Sequence, residues 1–124
     1  MAFDPKFTKV FDQHKGFLKQ VRGENLVKPM LVYFGLGGRA EQIRILCSLG
    51  KIDFEDMRVP NPVFMQLKQS GQLPMGSMPV WIEDGETYFQ SATIMRMLGK
   101  RCGMYSTDPE VMWQIDSAME YVED

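Results

Sequence analysis

The chain has 124 residues, 44% hydrophobic and 24% charged, a composition that fits one soluble globular core. Its 14 basic and 16 acidic side chains argue against a broad basic surface for nucleic acid or anionic lipid, and no apolar run approaches the roughly 20 residues that span a bilayer. The two cysteines, Cys47 and Cys102, lie far apart without a C-x-x-C spacing, so they point to neither a disulfide framework nor a thioredoxin-type redox pair, and packing is their expected role.

In chain order, the first element expected is an amphipathic helix. Phe7, Val10, Phe11, His14, Phe17, Leu18 and Val21 recur at helical spacing, with Asp4 as cap, Pro5 in the first turn and Gly23 as stop. A helix docked on the domain is the simplest reading; a transit helix or a partner-docking helix are its alternatives, and Asp4 and Asp12 speak against transit. The opening residues also lack the basic and apolar regions of a secretory signal, so a cytoplasmic location is expected.

Met30 to Phe34 reads as a buried strand, and the glycines at 35, 37 and 38 turn the chain. A helix follows from Arg39 through Ile43, Leu46, Cys47 and Leu49 to a stop at Gly50. Phe54 to Val59 is a candidate strand, broken by Pro60 and Pro62, and Val63 to Ser70 is a short helix or an irregular segment. Met78 to Ile82 and Thr87 to Phe89, joined across Asp84 and Gly85, read as an antiparallel hairpin. Ser91 is expected to cap a helix through Leu98 that stops at Gly103. Asp108 and Pro109 open a last helix through Trp113, Ile115, Met119 and Val122, whose apolar stripe calls for something further along to cover it.

The turn after the first strand has two readings. Gly35, Gly37 and Ala40 match the G-x-G-x-x-A of a dinucleotide fold, with Glu55 or Asp56 near the place of a ribose-binding acid. The hairpin that follows, in place of another crossover, and Pro79 at the opening of a strand do not suit that fold.

The ordered set Tyr33, Phe34, Gly38, Arg39, Ala40, Glu41, Glu55, Asp56, Met78, Pro79, Val80, Asp84, Gly85, Gln90, Ser91, Ile94, Arg96, Leu98, Gly103, Met104 and Tyr105 resembles the glutathione transferases, closest to the sigma-like branch that includes prostaglandin D synthases. The resemblance implies an α/β fold: a thioredoxin-like βαβ-ββα domain over 29–104, behind an added helical extension over 1–28. Residues 105–124 would then be a linker and the first helix of an all-helical C-terminal domain.

By the same resemblance, glutathione is the co-substrate and no metal is needed. Tyr33 donates to the glutathione sulfur, with Arg39 as its electrostatic support. Met78, before a cis Pro79, pairs through its backbone with the cysteinyl part of glutathione, and Gln90 and Ser91 hold its γ-glutamyl end. Phe34, Phe64 and Lys68 complete the glutathione contacts. Asp124 aligns with an acid offered by the partner subunit to the glutamyl ammonium, which implies a homodimer or a partner subunit. The sequence departs from the family at Ser77, where a lysine or glutamine is usual. The implied activity is attack of the thiolate on an electrophilic carbon, or on an endoperoxide oxygen in the prostaglandin branch. A non-catalytic docking subunit of a larger assembly is the alternative.

Overall fold

Met30–Tyr33, a run of four buried apolar or aromatic residues, forms β1, which takes an interior place in a four-stranded sheet of order β2-β1-β3-β4. The computed structural model describes residues 28–123; the expected N-terminal helix and Asp124 lie outside the described residues. A strand covered on both faces reads as a continuous apolar run, as β1 does, while β2 (Glu55–Arg58) and β4 (Glu86–Phe89) are edge strands with exposed ends. β2 runs parallel to β1, with Met30 opposite Glu55 and Tyr33 opposite Arg58. β3 (Val80–Glu83) is antiparallel to β1, with Leu31 opposite Trp81, and β4 is antiparallel to β3.

The parallel β1–β2 pair needs a crossover, supplied by a 3-10 turn, Gly38–Ala40, and helix α1, Glu41–Leu49. This βα unit followed by a hairpin is the thioredoxin-like arrangement, and the dinucleotide-fold alternative does not hold. The hairpin turns at Asp84 and Gly85, whose φ values of 51° and 81° are the left-handed pair that matches strand twist.

The segment after β2 is a helix, α2, Asn61–Gln69. Pro60 and Pro62, which break the strand as expected, also start this helix: one is the cap and the other sits in the first turn, where no amide hydrogen is required. Helix α3, Ser91–Arg101, runs three residues beyond Leu98. It ends with the Met104 amide donating to Gly99 O at 2.7 Å and the Gly103 amide to Lys100 O at 3.3 Å, around a left-handed Gly103 at φ 76°. In α1 the same pair of bonds closes around Lys51, at φ 56°, and not around Gly50, which has φ −85°. Gly50 is glycine for space: a Cβ there would lie 2.9 Å from Cys102 Sγ.

Helix α4, Pro109–Glu123, starts as expected, with the Glu110 amide donating to Asp108 Oδ1 at 3.1 Å. It is held to α3 by Arg96 Nε on Asp116 Oδ1 at 3.0 Å, and to the connection between the two helices by the Tyr105 hydroxyl donating to the same oxygen at 2.9 Å. Of its apolar stripe Met119 is buried, whereas Trp113 and Val122 are exposed. At the opposite end of α3, Arg101 Nη1 donates to both Glu83 oxygens at 2.9 Å, and Trp81 Nε1 donates to the same carboxylate at 3.0 Å. The core, with Leu31, Val80, Trp81, Ile43, Ile94 and Leu98 fully buried, fixes the C-terminal end of β1 against the N-terminal ends of α1 and α3.

Candidate functional site

Tyr33 is the last residue of β1 and is buried among the core residues up to its ring edge. Its hydroxyl oxygen accepts the Arg39 backbone amide at 3.3 Å, and the hydroxyl keeps its own proton to give to another acceptor. That approach depends on Gly38, which has φ 48° and whose added Cβ would stand 2.5 Å from Tyr33 Oη. Two requirements therefore converge on one glycine, a left-handed backbone and absence of a side chain.

Two depressions share Arg39. One, of about 240 Å³, is lined by Tyr33, Gly38, Arg39, Gln42 and Val122. The other, of about 130 Å³, is lined by Arg39, Ser77, Met78, Pro79, Gln90 and Ser91. Six residues singled out in the sequence, Tyr33, Arg39, Met78, Pro79, Gln90 and Ser91, thus meet at the C-terminal end of β1, and Ser77, where the chain departs from the family, is among them. The Met78–Pro79 peptide is cis.

Ser91 is the first residue of α3 and not its cap; the cap position falls to Gln90, which makes no side-chain capping bond. Gln90 sits at φ 71° and ψ 114°, a conformation unusual for a residue with a side chain. Such a residue at the mouth of a cleft is the kind of local strain that collects at binding sites.

Phe34, Phe64 and Lys68 lie outside both linings and form a chain of contacts leading away from Tyr33. The Tyr33 and Phe34 rings meet edge-on at 5.4 Å, Phe34 and Phe64 at 5.1 Å, and Lys68 Nζ lies 6.0 Å from the Phe64 ring centre. The Lys68 stem passes Gly76, the neighbour of Ser77. Asp124 is outside the described residues.

One residue of consequence was not foreseen. Arg44, with a side chain only 9% exposed, donates from Nη1 to Leu36 O at 2.8 Å, from Nη2 to Phe34 O at 3.3 Å and from Nε to Asp56 Oδ1 at 3.1 Å. Its guanidinium carbon lies 6.0 Å from the Tyr33 ring centre. It ties the loop that follows Tyr33 to β2. On the helix it follows Ile43 as one more charged residue, and only the loop that folds back over it makes it a clamp.

Both thiols lie away from the cleft. Cys47 is buried, and burial, reinforced by the nearby Cys102, pushes its pKa up to about 11 against a smaller opposing effect of Arg101. No helix among the described residues is long and apolar enough to cross a membrane.

Comparison with known proteins gives a consistent picture. No family model matches the chain. Over 99 residues, 80% of the chain and 52% of the relative, it is 37% identical to glutathione S-transferase 2 of Caenorhabditis elegans. Over 94 residues, 76% of the chain and 46% of the relative, it is 31% identical to human hematopoietic prostaglandin D synthase. The structure of prostaglandin synthase D of Nilaparvata lugens superposes with a TM-score of 0.69 at 31% identity, covering 78% of this chain and 48% of that one. The chain spans about half the length of the curated relatives it matches. Sequence and fold agree, and the chain belongs to the sigma-like branch of the glutathione transferase family.

Proposed function

We propose that the chain binds glutathione in the cleft at the C-terminal end of β1 and holds its sulfur as thiolate for transfer to an electrophile. The observation that carries this reading is the convergence of Arg39, Met78, Pro79, Gln90 and Ser91 on one depression that shares Arg39 with the Tyr33 cavity. Glutathione carries two carboxylates, an ammonium and a thiol, and the cleft offers a group for each kind. The N-terminus of α3 at Ser91 presents amide donors and the positive end of the helix dipole to a carboxylate. The Gln90 side chain adds an amide for the γ-glutamyl end, and Met78 has backbone groups for the cysteinyl part. Phe34 and Phe64 flank the path to Lys68, whose ammonium suits the glycyl carboxylate.

The thiol, like that of free cysteine, titrates near 8.5 in water, so at neutral pH only a few per cent is thiolate. A Tyr33 hydroxyl donating to the sulfur is worth about 1.5 to 3 kcal/mol, enough to lower that pKa by one to two units. The sulfur lone pair then forms a carbon–sulfur bond while the leaving group departs with its electron pair, and the thiol proton goes to solvent. In this reading residues 29–104 are the glutathione-binding domain and 105–124 begin a helical domain that holds the electrophile. The working form is a homodimer or a complex with a partner subunit, completed by Asp124, and the protein acts in the cytoplasm.

Calorimetric titration of the chain with glutathione tests the reading, with Gln90→Ala and Ser91→Ala expected to weaken binding by about tenfold or more, one lost charge-assisted bond each. Tyr33→Phe is expected to leave binding near the parent value and to cut turnover of an aromatic halide by about 10- to 100-fold. A folded chain that takes up no heat with glutathione overturns the proposal, and binding without turnover removes the transferase half of it.

A further inference from the structure

The smaller depression has two unlike walls. β3 and β4 pair with Val80 opposite Phe89, so the depression lies across the start of one strand and the end of the other, with Ser77, Met78 and Pro79 on one side and Gln90 and Ser91 on the other. The Gln90–Ser91 wall opens α3, a helix of 11 residues, whose N-terminal amides and dipole favour a carboxylate. The facing wall offers an anion much less. Ser77 contributes one short, exposed hydroxyl. Gly76 before it, at φ 67°, has no side chain, and a Cβ placed there would meet only the Lys68 stem, at 3.5 and 3.7 Å.

Charge is as uneven as shape. Among the described residues the one charged side chain in either lining is that of Arg39, whose backbone amide lies beside the Tyr33 hydroxyl. Lys68 is exposed and stands outside both linings, with its ammonium 6.0 Å from the Phe64 ring centre. A solvated pair between such a lysine and a carboxylate changes affinity by about fivefold at most. A carboxylate hydrogen-bonded at the start of α3 is worth about tenfold or more.

We propose that the cleft recognises the γ-glutamylcysteinyl part of its thiol and leaves the third residue nearly unselected. Its thiol substrates are then γ-glutamylcysteinyl peptides as a class, including those whose third residue is larger than glycine or has no free carboxylate. This rests on the glutathione reading of the cleft and adds to it the residue that sets the range of thiols: Ser77, too short to reach a terminal carboxylate and too small to exclude a side chain.

The test is calorimetric titration of the full chain with four thiols: glutathione, its glycyl ethyl ester, γ-glutamylcysteinylserine and cysteinylglycine. The ester and the serine peptide are expected to bind within about fivefold of glutathione. Cysteinylglycine, which lacks the γ-glutamyl end, is expected to bind at least about tenfold more weakly. Ser77→Lys places an ammonium in the lining itself, and is expected to tighten glutathione by about fivefold or more while the ester stays within about twofold of its affinity for the parent chain. Should that variant fail to fold, the four thiols on the parent chain decide alone. A loss of more than about fivefold for the ester or the serine peptide, cysteinylglycine binding as well as glutathione, or a folded Ser77→Lys that changes glutathione and its ester alike overturns the inference and leaves glutathione binding standing. Absence of heat with glutathione itself overturns the glutathione reading and this inference with it.

Discussion

Gly38→Ala is the sharpest test of how the Tyr33 corner is built. The added methyl meets Tyr33 Oη at 2.5 Å, and Leu36 Cδ1 and Tyr33 Cε2 at 2.9 Å, at a residue with φ 48°. A side chain in the left-handed region costs about 1 kcal/mol relative to glycine, and forcing a methyl into packed neighbours costs about 1 to 3 kcal/mol more. The sum, about 2 to 4 kcal/mol, is a large share of the stability of a small domain and corresponds to a fall in Tm of roughly 10 to 25 °C. Tyr33 must also shift, breaking the bond from the Arg39 amide, so the substitution is expected to raise the pKa of bound glutathione thiol, read from thiolate absorbance. Gly35→Ala, three residues away, is the control: nothing lies within 4 Å of its Cβ, and the change is expected to stay within about 0.5 kcal/mol. Thermal denaturation of the two variants side by side decides the matter. Equal midpoints would refute the argument that Gly38 is required by its contact with Tyr33.

Gln90→Gly is expected to raise stability by about 1 kcal/mol, because it releases a residue held at φ 71°, and to weaken glutathione binding at the same time; denaturant unfolding and calorimetry on one preparation read both. With its pKa pushed up to about 11, Cys47 is thiolate in only roughly one molecule in a thousand at pH 8, so native protein is expected to leave it unalkylated by iodoacetamide over hours; rapid alkylation at Cys47 in the folded state would contradict its burial. The Arg96 guanidinium, helped by the Tyr105 hydroxyl, holds the Asp116 carboxyl below its ordinary value of 3.8. A depressed carboxyl stabilises the folded state above its unfolded value and ceases to do so as pH falls through the lower folded one, so the packing of α4 on α3 is expected to persist to pH 4 and loosen below it. Amide exchange in α4 that accelerates between pH 7 and pH 5 would refute that assignment.

Much of this was legible because the relevant signals are local. The buried run Met30 to Tyr33, the left-handed pair Asp84 and Gly85 and the Asp108 cap each act within a few residues, and each stands where the sequence puts it. What the sequence did not show has a cause of the opposite kind. Gly50 does cap its helix, but its smallness serves a contact with Cys102, half the chain away, and Lys51 takes the left-handed turn. Pro60 and Pro62 end β2 as their sequence signal says, and because a proline in a first turn loses nothing, the same residues also begin α2.

Arg44 carries the lesson to the site itself. Besides its local pair with Glu41, it is reached by two carbonyls, Phe34 and Leu36, and by the Asp56 carboxylate, from three positions along the chain. No spacing rule joins these three, because the loop, α1 and β2 lie side by side only in the folded βαβ unit. That arrangement has a direct consequence for function. With Asp56 in β2 opposite Leu31, the sheet register that buries the core also anchors Arg44, and Arg44 holds the loop on which Gly38 and the Arg39 amide meet the Tyr33 hydroxyl. A register slip of one residue would turn Asp56 to the other face of the sheet and release the loop. The position of the hydroxyl is therefore a property of the whole βαβ unit, and the candidate site depends on the fold through that one buried cation.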